Sequence, residues 1–573
     1  MASIMCLPEE LIARILSYND ISIEDIINFR CTCKQFEWAA KYGKYWEKKF
    51  SQRWPFAKKF CDKIFKENEQ KESEKNEQKN KKSLNFMETG IKCARQLRNY
   101  VSQFIHDHFY IHFDFSIDNF INLETVFCFD KDLNKIICKP DNFINIFFFM
   151  DEIKSLLAQS PRRAGCDLTE RYCNIKLFYY LRYHLIREYW ERFEEQPHKK
   201  LLLELGATII VQRFQPQKDV FYSIIKTSLD NIALEVLNYL REEHPDHSIF
   251  STTAENFAYW KNNNIDDNHW DEMEGTQIMN ALEEYIFDKL NFKLNKSKNI
   301  DYMCIDNVLE RKCGEEIILF IIYQSVARRL GLRCDIIKLP HCSRVCIFWK
   351  PKYVTSSLED VRCFNLSYAT FPDCLVEQRC SEKPLAITAE EIRQNLIEIL
   401  ICMNVEWCKN TLAPMPPKAI RDVWDINLRE LNFHVYIKKQ SNIRPKEIKF
   451  AVGMIVAHNH KRFDHSLSSS AGVIVGWHRY EDHVMFPRYN LRKPLNILCS
   501  NFNSKTHYII LGENNKTYYV EEDAITKTTP KWIDNNEIGL YFCKFEDTHY
   551  VPNEILATCY PHDAAITAAI SDD

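Results

Sequence analysis

Residues 300–349 read IDYMCIDNVLERKCGEEIILFIIYQSVARRLGLRCDIIKLPHCSRVCIFW, and this stretch decides the fold class of the middle of the chain. After Gly314 the run IILFIIY is apolar on every side. A helix without a polar stripe has to be buried all round, so the run predicts a central helix and not a surface one. Arg328-Arg329 fall near its negative end, where cations stabilise the dipole, and Gly331 is placed to close it in the left-handed conformation. Alternating strands follow, so an α+β domain with a helix on a small sheet is expected.

Upstream of that stretch the pattern is helical. ALEVLNYLREEHPD and MNALEEYIFDKLNFKL each carry an apolar and an acid-rich face. KLFYYLRYHLIREYWERF (176–193) has helical spacing through Leu177, Leu181, Leu185 and Tyr189, within an aromatic-rich helical region over 91–204. In that region FYIHFDFSIDNFINLETVFCFD (109–130) alternates in a way that also fits strands. FKENEQKESEKNEQKNKK (65–82) has no apolar residue after Phe65 and is too polar to offset its ordering entropy by burial, so 57–90 reads as a charged linker. In the first 56 residues, Leu7, Leu11, Ile15 and Leu16 lie one turn apart, Pro8 sits where a first turn tolerates a missing N–H, and Ser22 with Asp25 opens a second helix. CTCKQFEWAAKY gives a third. Three helices this short bury little core alone, so part of their apolar surface waits for a partner.

Downstream, TAEEIRQNLIEILICMNVEWCKN and IRDVWDINLRELNFHVYI are helices separated by Pro414, Pro416 and Pro417, with 401–447 as a helical connector. From 448 to 565, KFAVGMIVAH, AGVIVGWH, THYIILGE, KTYYVEE and EIGLYFCKFEDTHYVPNE alternate in twos and are rich in Val, Ile and Tyr. They predict a small antiparallel β-barrel. The whole is a multidomain α+β chain.

Composition narrows the function classes. The 573 residues are 46% hydrophobic and 27% charged, enough for roughly three or four domains. A net charge of −4 supplies no global field for nucleic acid or an anionic membrane. The 22 cysteines are scattered, and the N-terminus lacks the basic and apolar regions of a signal peptide, so a reducing compartment, cytoplasmic and/or nuclear, is expected. NFINIFFFM (142–150) falls far short of a bilayer-spanning run, so no membrane segment is expected. No pair of C-x-x-C motifs occurs, and Cys31-x-Cys33 and His341-Cys342-x-x-x-Cys346 are weak metal motifs; no metal or cofactor is expected.

Three resemblances sit on these segments. Leu7-Pro8-Glu9-Glu10-Leu11, Ile15-Leu16, Ile26-Ile27, Cys31-x-Cys33-Lys34-x-Phe36 and Tyr45-Trp46 resemble the F-box, the module that docks a substrate receptor onto the Skp adaptor of a cullin ubiquitin ligase. That resemblance implies 1–56 as an F-box whose Leu7, Pro8, Leu11, Ile15, Leu16, Ile26, Ile27 and Cys33 pack against the adaptor. The same pattern fits an ordinary three-helix cap on a larger domain.

Asn307-Val308-Leu309-Glu310-Arg311, Gly314, the buried helix and Ala327-Arg328-Arg329-Leu330-Gly331-Leu332 resemble the SirB-type branch of the transglutaminase-like fold, over 205–400. Active relatives attack an acyl carbon with a Cys at the helix start, activated by a strand His that a third polar residue orients. Counted back from Gly331, the nucleophile position falls on Glu316, which cannot serve. His341 and Asn365 stand near the other two positions. Cys313 is the one rescue, with Glu315 and Glu316 opposing its ionisation. No catalytic residue is therefore expected, with Cys313, His341 and Asn365 as degenerate candidates, and the surface reads as a scaffold or peptide-binding face.

Phe450-x-Val452-Gly453-x-x-Val456-x-His458, Gly472 to Trp477, Tyr519-Val520-x-Glu522, and Ile538-Gly539-x-Tyr541-Phe542 through Tyr550-Val551-Pro552-Asn553 resemble the HspQ or YccV family, which carries the label of hemimethylated-DNA binding. Residues 449–565 hold 12 Lys and Arg against 13 Asp and Glu, so the cationic face that phosphate binding needs is missing and DNA is disfavoured. The three together look like a substrate receptor of a Skp, cullin and F-box ligase, partnered by adaptor, scaffold and an unknown protein substrate. The rival readings are a cysteine hydrolase or transamidase using Cys313 and His341, and a DNA-binding protein using the barrel.

Overall fold

The computed structural model describes residues 7–18, 20–34, 45–69, 78–106, 133, 137, 143–163, 165–215, 218–295, 299–338, 345–354, 361–379, 386–388, 390–391, 444–461, 467–479, 506–513 and 516–569. The chain opens with α1 (Glu9–Leu16) and α2 (Ile23–Arg30). Ser22 and Asp25 form a reciprocal capping box: Asp25 N–H donates to Ser22 Oγ (3.0 Å) and Ser22 N–H to Asp25 Oδ2 (2.9 Å). These bonds hold the Asp25 carboxyl below its ordinary range. Of the expected third helix, Cys31–Cys33 instead form the turn that ends α2, and 35–42 lie outside the described residues. Helix α3 (Tyr45–Arg53) follows.

Helices α4 (Pro55–Glu69) and α5 (Gln78–Phe104) both pack on α6 (Phe143–Leu157). Phe60 stacks on Phe147 with ring centroids 4.2 Å apart, Trp54 meets Phe148 edge-on at 5.6 Å, and Cys93 Sγ donates to Asn145 Oδ1. A Cβ at Gly90 would come 2.8 Å from Phe148. Residues 65–69 of the charged run belong to α4 and 78–82 to α5, while 70–77 lie outside the described residues. Packing begins inside the expected linker, with Ala57 and Cys61 buried, because the apolar side chains at its ends match an aromatic face far along the chain. The apolar NFINIFFFM stretch is that face: residues 146–150 are fully buried in α6. No helix among the described residues is long and apolar enough to cross a membrane. The alternating stretch 109–130 lies outside them.

Helix α7 (Leu168–Glu194) buries Leu177, Leu181 and Leu185 as their spacing requires. Then come α8 (Leu203–Phe214), α9 (Tyr222–Glu243), α10 (Ala254–Asn262), α11 (Glu272–Glu284), β1 (Lys293–Leu294), α12 (Ile305–Arg311) and β2 (Cys313–Gly314). The central helix α13 (Glu316–Arg329) is buried on all sides, and Gly331 closes it at φ 78°, where a Cβ would strike Trp270 and Trp260. Beside it β3 (Asp335–Lys338), β4 (Val345–Trp349), β5 (Arg362–Leu366) and β6 (Leu375–Glu377) form an antiparallel sheet in that order. Ile336, Ile347, Trp349, Phe364 and Leu366 belong to the helix-facing core; Ile337, Cys346, Phe348 and Cys363 form a second cluster on the other face.

In the C-terminal part β7 (Ile455–Lys461), β8 (Leu467–Arg479), β9 (Thr506–Gly512), β10 (Lys516–Glu521) and β11 (Ile525–Lys527) make one five-stranded antiparallel sheet, ordered β10-β9-β8-β7-β11. A bulge between Ile474 and Gly476 bends β8. Among the described residues β10 and β11 are the two edges of this sheet and no ladder pairs them, so the expected closed barrel is not seen to close. The three-residue link Glu522–Ala524 is too short to cross a flat five-stranded sheet and requires it to curl. Helix α14 (Ile538–Tyr541), the hairpin β12 (Phe542–Phe545) and β13 (Tyr550–Pro552), α15 (Glu554–Cys559) and α16 (Pro561–Ala569) complete it. The connector 401–441 lies outside the described residues. The chain forms two compact units, Met1–Leu181 with Asn432–Asp573, and Arg182–Leu431.

Candidate functional site

The start of α13 is tied to its surroundings by two hydrogen bonds. Glu315 N–H donates to Tyr302 O (2.9 Å), and Glu316 Oε1 accepts from Leu366 N–H on β5 (2.9 Å). The side chain at the nucleophile position thus fastens the helix start to the strand carrying Asn365. Asn365 itself is buried, and its Oδ1 has no hydrogen-bond partner among the described residues. Cys313 stands apart, in the two-residue strand β2 paired with Lys293 of β1. Burial raises its thiol pKa; Lys293 pulls it down, and Glu315 adds to the rise. His341 lies outside the described residues. Cys313 lies two residues before the Glu315 cap of α13, and Asn365 neighbours the Leu366 that Glu316 holds, on the opposite strand face from Phe364 and Leu366.

The two arginines expected to complement the α13 dipole do more than that. Both are buried around Glu204 of α8, which accepts from Arg328 and from Arg329 Nη1 (3.2 Å), and from Ser325 Oγ at 3.0 Å. Arg329 Nε also reaches Asp230 (2.9 Å). Burial raises the Glu204 pKa, but the two guanidiniums outweigh it and hold the carboxyl low. A second buried acid, Glu283, accepts from Arg362 Nη2 at 2.7 Å, yet burial wins there and its pKa is pushed up to about 7. The sequence signal for either pair was a charge beside an apolar run; neither partner could be assigned.

The N-terminal module shows which apolar side chains form a face and which form a core. Pro8 is exposed, Leu11 is 46% exposed, and Leu7, Ile15, Ile27 and Cys33 are half-buried. Leu16 and Ile26 are buried with Ile12 in a small cluster of their own, bordered by Leu7, Ile21, Phe29 and Cys33. Both were expected on the docking face; here they are buried between α1 and α2, beneath the exposed Pro8 and Leu11. Tyr18, 59% exposed, was not singled out.

In the C-terminal unit the motif residues are structural. Asp563 of α16, fully buried, accepts from Val452 N–H (2.8 Å), Trp477 Nε1 (2.8 Å) and Arg444 Nη1 (2.7 Å). Gly453, at φ 91°, would put a Cβ 2.2 Å from Tyr550 O. Lys449, Lys531 and Lys544 meet Glu522, Glu513 and Glu546 at 3.1, 2.7 and 2.6 Å. Each of these three lysines is paired with a carboxylate. Among the described residues no cluster of His, Cys, Asp and Glu could hold a metal ion.

Comparison with known proteins follows the same division. Residues 224–361 match the family described as the transglutaminase-like superfamily, and residues 448–549 match the family described as hemimethylated DNA-binding protein YccV like. Over 98% of its length the chain is similar to F-box only protein 21 of Homo sapiens, at 21% identity and covering 92% of that protein. F-box only protein 21 of Mus musculus matches at 21% identity over 97% of this chain and 92% of its own, and that of Pongo abelii at 20% over 98% and 92%. No solved structure matches the chain.

Proposed function

We propose that the chain is the substrate-recognition subunit of a Skp, cullin and F-box ubiquitin ligase, and that it performs no bond chemistry itself. The observation that carries this is similarity to F-box only protein 21 over 98% of the chain; beside it stands the exposed Pro8 and Leu11 face at the N-terminus. In this reading Pro8, Leu11, Ile15 and Ile27 dock on the adaptor as a helix face entering a groove. The middle and C-terminal domains recruit a protein target, and the receptor raises the concentration of a target lysine near a ubiquitin-loaded conjugating enzyme. Degradation of the target is the expected outcome. All cysteines among the described residues are free, which supports a reducing cytoplasmic or nuclear setting.

The test is affinity capture by the Skp adaptor. Intact chain should be retained, and Leu7→Ala/Pro8→Ala and Leu11→Ala should each weaken retention by about tenfold or more. Failure of the intact chain to bind removes the ligase reading. Turnover of acyl substrates that disappears in Cys313→Ala would favour a cysteine enzyme instead. A salt-sensitive DNA complex of the full chain at physiological ionic strength would favour a nucleic-acid reading.

A further inference from the structure

The α1–α2 turn and the C-terminal sheet domain are joined by a continuous series of polar bonds made by largely buried side chains. Lys49 of α3, 3% exposed, donates to the carbonyls of Tyr18 and Ile21 that end α1 and begin the turn to α2. One turn further along α3, Arg53 forks onto Glu152 of α6, with Nε on Oε1 at 2.7 Å and Nη2 on Oε2 at 2.9 Å. Trp54 Nε1 donates to the same Oε1 at 2.7 Å. The neighbouring Asp151 supplies what α4 lacks. That helix begins at Pro55 after Trp54, with no acidic residue in its first turn, so its first amides have no local cap. Asp151 Oδ2 accepts from Phe56 N–H (2.9 Å) and Ala57 N–H (3.0 Å), capping α4 from another helix.

From α6 the series continues. Arg171 of α7 donates to the last carbonyls of α6, at Leu157 (2.8 Å), Gln159 (3.1 Å) and Leu156 (3.2 Å). One residue on, Tyr172 OH donates to Glu537 Oε2 at 2.9 Å, Lys176 reaches Glu537 at 3.4 Å, and Arg162 lies 5.4 Å over the Trp532 ring. A Cβ on Gly539 would sit 2.0 Å from Leu168 O, so the approach of the C-terminal domain to α7 requires glycine there.

We propose that Asp151 and Glu152 are positioning residues: they fix the N-terminal helices and the C-terminal domain as one body, so that whatever that domain binds is held at a set distance from the adaptor face. The functional half of this rests on the adaptor reading; the mechanical half does not. Both acids are 4% exposed, and together they take up five donors from the segment that joins α3 to α4. A bidentate guanidinium fork and two capped amides restrict rotation of both helices about Trp54.

The experiment uses the full chain with spin labels carried by encoded non-natural residues at the exposed positions Glu10 and Glu554, and reads the distance distribution between them. The native chain should give one narrow distribution, against the default expectation of relative motion between domains, and Asp151→Ala/Glu152→Ala should broaden it at least about twofold. Asp151→Asn, which keeps a carbonyl oxygen facing the two amides, should restore most of the width as a single change. Arg171→Ala cuts the same series at a different link and should also broaden it, so misfolding of one variant does not decide the matter. A broad native distribution, or a narrow one in both Asp151→Ala/Glu152→Ala and Arg171→Ala with helicity unchanged, overturns the proposal. A narrow distribution in the labelled chain together with no adaptor capture of the unlabelled native chain would instead remove the ligase reading and leave the joint intact.

Discussion

The Arg182–Leu431 unit and the N-terminal module solve the same problem with opposite means. The middle unit has one continuous core that runs from Ile186 to Ile387 and encloses α13 completely. The cluster that joins α1 to α2 has three buried apolar side chains, Ile12, Leu16 and Ile26. A helix pair that small cannot fold on burial alone, so polar bonds complete it: the Ser22–Asp25 box and the Lys49 cap on its turn. In the large unit charges are tolerated inside because they are matched; in the small one they do the joining.

The largest way to break this contrast is to unmatch a charge in the large core. Arg328→Met leaves Glu204 buried with one guanidinium fewer, and unfolding measured by denaturant should show a loss of about 3–5 kcal/mol. A loss below about 1 kcal/mol would mean that the network is incidental. Next in size, Ile26→Ala should cost about 2–5 kcal/mol, and in a core of three residues that should melt the module alone. Hydrogen exchange should then rise in α1 and α2 while α13 stays protected. The comparison sharpens with Glu316→Ala, which strips the acceptor from Leu366 N–H and should cost about 1–3 kcal/mol, whereas Glu316→Gln keeps it and should cost less.

The smallest effect depends on pH. Glu283 has a carboxyl pushed up from 4.5 to about 7, so the folded state holds its proton more tightly than the unfolded chain. Its contribution to stability is complete below about 4.5 and is lost as pH rises through about 7. Glu283→Gln stays neutral throughout. The melting temperature of that variant relative to native should therefore rise between pH 5 and pH 8, and a flat difference would place Glu283 in a wetter setting than the structure gives it.

The sequence shows some of this directly. The IILFIIY run has no polar stripe, so the burial of α13 could be read from its own residues, as could the Gly331 cap. The helical spacing of α7 was equally plain. What stayed hidden was pairing across the chain. Glu204 lies 124 residues from Arg328, and no local pattern marks which acid an arginine will meet. The N-terminal face was half-legible: the apolar period was visible, but Leu11 and Leu16 follow the same period, and only packing of α1 on α2 separates the exposed side chain from the buried one. Alternation reports strands and not closure, so the five strands were legible but whether their edges meet was not. For the thiol site, the Glu at the nucleophile position was visible, but its bond to the strand carrying Asn365 was not.

The joint at Asp151 and Glu152 also sets an order of events during synthesis. The amides of Phe56 and Ala57 wait for an acid 95 and 94 residues downstream, and the hydroxyl of Tyr172 for one 365 residues downstream. Helix α4 therefore leaves the ribosome uncapped, and the Tyr172 surface stays bare until the last part of the chain emerges. A message truncated between α7 and Glu537 would yield a protein whose N-terminal helices are fully joined while the Tyr172 surface stays bare.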